Sequence, residues 1–310
     1  MDRFESMTAF VAVAREGGFS AASRALGVPL PTISRRVADL EAEVGVRLFH
    51  RSTRRVVLTD QGRTYHAACQ RLLDDLRDAD RSITGEYQTP RGELTVTASV
   101  GFGRIHLQPV ATEFLQAYPD INLRLLLVDR IVNLVEEHTD IAVRIAPLLD
   151  STLIARQLGQ VRMVICASPE YLAMHGEPDT PDDLTKHDCI GWSSAGLTSG
   201  WWVRDRGGDR TAPIRVRLST TIAESARAAA EAGIGLAQIP CYQAEAAVAA
   251  GRLAIILSDF ECAPLPVNLV YPSNRLVPLK LRAFVDFAAP RLAERLTRAA
   301  GMVRQAHAPA

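Results

Sequence analysis

Residues 20–62 read SAASRALGVPLPTISRRVADLEAEVGVRLFHRSTRRVVLTDQG. Ser20 is a helix-capping residue type, and Ala21, Ala22, Ala25 and Leu26 are good helix formers. Gly27 supplies a left-handed stop. Pro29, Leu30 and Pro31 follow, and proline suits a first helical turn because its missing N–H would have no partner there. A second helix is expected from about Pro31 to Val44. Ile33, Val37, Leu40 and Val44 step by four, three and four, which makes one buried stripe. Thr32, Ser34, Arg35, Arg36 and Asp39 fall off that stripe. Small hydroxyls and arginine at the exposed start of a helix suit base edges and phosphates in a major groove.

Residues 46–58, VRLFHRSTRRVVL, read as two short strands around a turn at Ser52-Thr53. Arg47, Arg51, Arg54 and Arg55 sit here with no acid among them. Beside a recognition helix such a hairpin is a wing, whose arginines follow phosphates or enter a narrow minor groove. A glycine-joined helix pair also occurs in ordinary all-α packing, and an arginine run also makes a plain solvated face. The wing, and the long helix after it, favour DNA. The DNA-reading set expected here is Ser20, Leu30, Pro31, Thr32, Ser34, Arg35, Arg36, Arg51, Arg54 and Arg55.

Charge agrees with a local patch. The 310 residues carry 35 basic and 35 acidic side chains, but residues 1–58 hold nine arginines against six acids. Specific DNA binding needs such a patch rather than a basic protein overall. An apolar content of 47% is ordinary for a globular chain long enough for two or three units. The start, MDRFESMTAF, lacks the apolar core of a secretory signal, and no apolar run is long enough to span a membrane. Five scattered cysteines (69, 166, 189, 241, 262) form no Cys-x-x-Cys pair and no metal-ligand spacing with histidine. Reduced thiols in the cytoplasm are expected, with no metal and no cofactor. A redox role and plain buried side chains both fit these thiols.

Upstream, Phe4, Met7, Phe10, Val11 and Ala14 predict a helix over 3–15 that backs the reading pair. Downstream, Thr59 and Asp60 open a helix expected to run to about Glu86. Tyr65, Cys69, Leu72, Leu76, Ala79 and Ile83 form a heptad seam with charged flanks, which predicts pairing with a second chain. Two DNA units would then meet inverted-repeat half-sites of a promoter duplex. Gln88 to Gly92 reads as a hinge. Strands then alternate with helices, as parallel α/β layers do. Strands are expected at 94–98, 121–128, 141–145, 161–167, 214–218, 234–239 and 267–271. Helices are expected at 105–118, 131–138, 169–175, 221–232, 241–250 and 279–297.

Residues 4–62, including FVAVAREGGFSAASRALGV and PTISRRVADLEAEVGVRLFHRSTRRVVLTDQG, resemble the N-terminal domain of the LysR-type transcriptional regulators. The match is dense over this stretch, and the order of the remaining chain agrees with it. The resemblance implies a winged helix-turn-helix, a dimerising linker helix and a two-lobed α/β effector domain like a periplasmic solute-binding protein. It divides the chain into 1–58 for DNA binding, 59–88 for the linker and 89–310 for the effector. Lobe one is about 91–162 plus 267–297, and lobe two is about 163–266. The family usually forms tetramers from two dimers, so a homodimer or a homotetramer is expected. One departure stands out. The family commonly has Ser-Gln ahead of the recognition-helix proline, and here those positions are Pro29 and Leu30. Leu30 is expected to offer apolar contact to a thymine methyl instead.

A small-molecule effector is expected between the lobes, outside the carboxyl ends of strands. Ser99, Val100 and Gly101 end the first strand, where exposed N–H groups would favour an anion such as an organic acid. The same residues read equally as an ordinary strand-to-helix turn. Gly101-x-Gly103 lacks a third glycine, with His106 in its place, so a dinucleotide fingerprint is rejected. Asp129 and Arg144 end further strands. Trp192, Thr198, Ser199 and Trp201 are lobe-two candidates, and Thr220 and Thr221 start a helix. By analogy with the family, Ser99, Thr198 and Thr220 come first. No catalytic elbow, zinc-binding helix or phosphate loop is present, and seven histidines are scattered, so an enzyme is not expected. A stand-alone solute-binding protein would not explain residues 1–62. Lobe closure is expected to alter subunit packing and the spacing of the DNA units.

Overall fold

The computed structural model describes residues 2–51, 56–84, 89–134, 136–148, 153–193, 199–273 and 277–305. The chain divides into two compact units, Met1–Thr89 and Pro90–Ala310.

The first unit holds α1 (Arg3–Glu16), α2 (Phe19–Leu26), α3 (Leu30–Val44), β1 (Phe49–Arg51), β2 (Val56–Leu58) and α4 (Asp60–Thr84). Met7, Phe10 and Val13 of α1 pack with Ile33, Val37 and Leu40 of α3, and with Leu48 and Phe49 of the wing. The predicted stripe of α3 is therefore its buried face, although Val44 is only partly covered. Each large side chain taken from water there contributes roughly 1.5–3 kcal/mol. β1 and β2 pair antiparallel, Phe49 opposite Leu58 and Arg51 opposite Val56. The expected turn at Ser52-Thr53, with Arg54 and Arg55, lies outside the described residues.

Three local expectations change. α2 begins at Phe19 behind Gly18, so Ser20 lies exposed inside the first turn and does not cap it. Gly18 is extended, with φ 177°, and offers no side-chain cap. α3 begins one residue early, at Leu30, with Pro29 at the N-cap. The α4 seam divides. Cys69 and Leu73, four apart, enter the core shared with α1, whereas Leu72 and Leu76 stay 51% and 39% exposed. The α-helical period of 3.6 drifts against a strict heptad, which turns the lower stripe inward and leaves a neighbouring strip outside. The side chains of Ala79 and Ile83 lie outside the description.

Short polar contacts weld the wing to its neighbours. Glu41 Oε1 on α3 accepts the N–H groups of Leu48 (2.8 Å) and Phe49 (3.1 Å). Thr59 Oγ1 donates to Arg47 O and accepts the N–H of Gly62, both at 2.8 Å, so Thr59 caps α4 as its position suggests. Gly62 sits so close that a Cβ there would lie 2.0 Å from Leu48 O.

The second unit contains, in order, β3 (Gly92–Ala98), α5 (Val100–Phe102), α6 (Gln108–Ala117), β4 (Ile121–Leu127), β5 (Ile141–Ile145), β6 (Leu153–Val161), β7 (Met163–Ala167), α7 (Pro169–His175), β8 (Asp188–Trp192), β9 (Gly200–Asp205), β10 (Gly208–Pro213), β11 (Arg215–Thr220), α8 (Ala223–Glu231), β12 (Leu236–Pro240), α9 (Cys241–Ala249), β13 (Ala254–Ile256), β14 (Leu265–Pro272) and α10 (Leu279–Gln305). Two five-stranded sheets form, in the orders β4-β3-β5-β14-β6 and β11-β8-β12-β7-β13. Both are mixed rather than purely parallel. β14 runs antiparallel to β5 and β6, and β7 runs antiparallel to β12 and β13. The single strand expected over 161–167 breaks at Arg162, so that β6 serves one sheet and β7 the other. The chain returns between Glu261 and Leu265.

One apolar core runs through both sheets. Val96, Ile141 and Leu269 of the first join Cys166, Ile190 and Ile239 of the second, with Phe114 of α6 and Phe284 and Leu292 of α10. The opposite face of the second sheet has its own core, where Ile165 and Leu236 meet Trp201, Val203 and Ala212 of the β9–β10 hairpin and Tyr171 of α7. The described residues of 131–138 are not helical, against the helix expected there. Among those described, Glu137 N–H bonds Asn133 O at 2.9 Å, and His138 then turns to φ 51°.

Two substitutions test the weld. Gly62→Ala drives a methyl into Leu48 O, so it is expected to destabilise by roughly 1–3 kcal/mol, although alanine is ordinarily the better helix former. Glu41→Leu leaves two N–H groups without their carboxylate and is expected to cost about 1–3 kcal/mol. Urea titration followed by circular dichroism measures both, and unchanged midpoints would count against the weld.

Candidate functional sites: a nucleic-acid face and an inter-lobe seam

On the first unit, the outer face of α3 starts with Leu30, 40% exposed, followed by exposed Pro31 and Arg35 and half-buried Thr32 and Ser34. Ser23 Oγ donates to Val28 O at 2.6 Å and holds the turn before α3. Arg36 is less available than its position suggested. It is ion-paired with Glu5 of α1, and its side chain is only 22% exposed. Ser20 is exposed on α2, and Arg24 and Arg47 add exposed charge near the same helices. The side chain of Arg51 is outside the description, as are Arg54 and Arg55.

On the second unit, Ser99, Val100, Gly101 and Asp129 come together. Val128 N–H bonds Ala98 O at 3.0 Å, which sets the end of β4 beside the end of β3. Asp129 Oδ1 then accepts the Val100 N–H at 2.9 Å. Burial raises the Asp129 carboxyl above its ordinary value, and the Val100 N–H opposes that rise. The amide expected to hold a ligand anion is thus already occupied by the protein's own carboxylate.

Lobe two meets this turn through the start of α9. Gln243 covers Gly101 so closely that a Cβ there would lie 2.2 Å from Gln243 Nε2. The Tyr242 ring lies 5.1 Å from His106 and 5.9 Å from Phe102, edge-on to both. Its hydroxyl lies beside Ser99 and Gln243, and burial pushes the phenol up to about 12. Ser99 Oγ, Gln243 Oε1 and both His106 ring nitrogens are buried without a hydrogen-bond partner. His106 belongs to a π-helical turn, Gly103–Leu107. Such wide turns free a carbonyl, and Arg295 Nη2 on α10 takes Ile105 O at 3.0 Å. Arg104 of the same turn is ion-paired with Glu224 in the first turn of α8. At the crossings, Arg162 O accepts Cys241 N–H at 2.9 Å, and Arg162 Nε lies 3.6 Å from Glu261.

The other expected residues are engaged elsewhere. Arg144 donates to Val132 O at 3.1 Å rather than pairing with Asp129. Trp201 is buried in the hairpin core and does not face a cleft. Trp192 donates Nε1 to Gln238 O at 2.6 Å. Thr220 ends β11, with its carbonyl on Ser193 N–H at 3.1 Å. Thr220 and Thr221 do not cap α8, whose N-cap is Ile222. Ser199 is exposed, and Thr198 lies outside the described residues. Sequence reasoning missed Tyr242 and Gln243. The usable signal was Pro240, which ends a strand and opens a helix as Ser99 does. Cys69, Cys166, Cys189 and Cys241 are buried, and burial pushes Cys166 and Cys189 up to about 12, the behaviour of inert thiols.

His106 ties this seam to pH. Burial, then the nearby Arg295 charge, lowers its pKa from 6.5 to about 4. The folded value lies below the unfolded one, so the neutral ring stabilises the fold fully above about pH 6.5. That stabilisation, on the order of 3 kcal/mol, disappears as pH falls towards 4. His106→Phe is expected to lose less Tm than the parent between pH 7 and pH 4, measured by calorimetry. Equal losses would contradict this.

The whole chain has clear relatives. The bacterial regulatory helix-turn-helix protein, lysR family, pattern matches residues 4–63, and the LysR substrate binding domain pattern matches residues 87–293. The HTH-type transcriptional regulator CrgA of Neisseria meningitidis serogroup C is 34% identical over 295 residues, covering 94% of this chain and 98% of that one. The HTH-type transcriptional regulator DmlR of Escherichia coli K12 is 33% identical over 286 residues, covering 92% and 93%. Among solved structures, CrgA from Neisseria meningitidis aligns with TM-score 0.60 and 34% identity over 94% of this chain and 98% of that one. Full-length AphB from Vibrio cholerae aligns with TM-score 0.59 and 27% identity over 93% and 98%. The chain therefore belongs to the LysR family, as a DNA-binding transcriptional regulator with an effector-binding domain, and not an enzyme.

Proposed function

We propose that residues 1–58 read a promoter duplex with inverted-repeat half-sites, that 59–88 pair two chains, and that 89–310 sense a small molecule at the seam around Ser99. The observation that carries this is the pairing, in one chain, of an exposed Leu30–Arg35 helix face beside a wing with a buried, unsatisfied polar cluster between two lobes. Leu30, Pro31, Ser34 and Arg35 contact the major groove, and the wing follows the backbone. Leu72 and Leu76 pack on a second copy, giving a homodimer or a homotetramer that works in the cytoplasm. The organic acid expected from free N–H groups loses its first support at Val100, whose N–H is held by Asp129. Ligand binding biases one arrangement of the lobes and so the spacing of the DNA units.

Gel shifts with the region upstream of its own gene test the first part. Arg35→Ala is expected to weaken binding by about tenfold and to flatten the salt dependence. Equal, weak binding of promoter and random duplexes would overturn the reading. Sedimentation at micromolar concentration tests the pairing. Wild type is expected as a dimer or larger, and Leu72→Glu with Leu76→Glu as smaller species. A monomeric wild type would remove it.

A further inference from the structure

Four buried groups at the seam have unmet hydrogen-bonding capacity, and their chemistry selects a ligand. Gln243 is 8% exposed and His106 4%, yet Gln243 Oε1 and both His106 nitrogens lack partners, as does Ser99 Oγ. An unmatched buried polar group is costly, so a cluster of them at a lobe boundary is unfavourable unless something joins it. All four neighbour one residue, Tyr242, whose ring meets His106 and whose hydroxyl lies beside Ser99 and Gln243.

The sign of the charge follows from what surrounds them. Asp129 stands at the turn, and its Oδ1 already accepts the Val100 N–H. A ligand carboxylate beside Ser99 would meet this second carboxylate in a poorly solvated place, where like charges repel strongly. The neighbouring arginines are engaged. Arg104 pairs with Glu224 and Arg130 with Glu137, Arg144 donates to Val132 O and Arg295 to Ile105 O. Arg295 faces His106, and its buried Nε is without a partner, so it is the cation nearest the cluster. The Gln243 amide presents the opposite character on its other side, with Nε2 set over Gly101 and Oε1 buried without a partner. That oxygen is an acceptor, and Asp129 is a carboxylate with one oxygen on the Val100 N–H.

We infer that the effector carries N–H donors and no net negative charge, as a primary amide or an amine does, with Gln243 Oε1 and Asp129 accepting from it. This rests on the seam being the effector site. Asp129 thereby acts as the discriminating residue, rejecting the carboxylate analogue of the same skeleton. Removing a donor that such acceptors require leaves them unpaired, which is how polar sites reject near-isosteres.

Thermal shift assays on the full-length protein test the class directly. The probes are matched triads on one skeleton: benzoate, benzamide and benzylamine, and butyrate, butyramide and butylamine. An amide or amine is expected to raise Tm where its carboxylate does not. Gln243→Leu is expected to abolish that rise. Asp129→Asn, which keeps an acceptor for Val100 N–H, is expected to weaken the amine and admit the carboxylate. A carboxylate that stabilises wild type, with the effect lost in Gln243→Leu and retained in Asp129→Asn, would overturn the ligand class and leave the site standing. Shifts indifferent to both substitutions would remove the site itself.

Discussion

A single apolar core shared by two five-stranded sheets is the constraint on which the second unit depends. Because Val96 and Leu269 on one sheet belong to the same packed cluster as Ile190 and Ile239 on the other, neither lobe buries its inner face alone. The crossings at Arg162 and Glu261–Leu265 are short, and the first is held by a main-chain hydrogen bond to the start of α9. Polar groups caught beside that core have few partners to choose from. The unsatisfied atoms of Ser99, His106 and Gln243 lie where apolar packing and sheet ends meet.

The seam combines rigid and exposed contacts. Gln243 against Gly101, and Tyr242 against Phe102 and His106, are buried. Arg104–Glu224 is an ion pair with substantial solvent exposure, worth little by itself. A ligand at the proposed site would therefore act on the part of the boundary where each contact weighs most. The solvent-facing pair can reform at little cost.

Much of the first unit was legible because helical periodicity and capping chemistry act over a few residues. Ile33, Val37 and Leu40 declared the inner face of α3, Gly27 its preceding stop, and Thr59 the start of α4. Leu73 was missed because a heptad template skips it, while the real helix turns it inward. In the second unit, β6 was overlooked because its residues are largely exposed from Ile154 to Gln157, with no alternation to betray a strand. The β9–β10 hairpin does alternate, with Trp201 and Val203 inward and Trp202 and Arg204 outward. Trp201 was read instead as a lobe-two ligand candidate, with Trp192, Thr198 and Ser199. At the proposed site, strand-end reasoning picked out Ser99 and Asp129, which the structure sets side by side at the ends of β3 and β4. It did not find that Asp129 occupies Val100, nor that Gln243 covers Gly101, because those pairings depend on residues far apart in sequence.

The join between wing and rod has a mechanical consequence. Glu41, Leu48, Thr59 and Gly62 tie the recognition helix, the hairpin and the first turn of α4 through direct bonds and a contact with no room for a methyl group. These contacts couple the three elements at one point. A twist applied to α4 is therefore passed on to α3, and with it would go the angle at which the proposed base-reading face is presented.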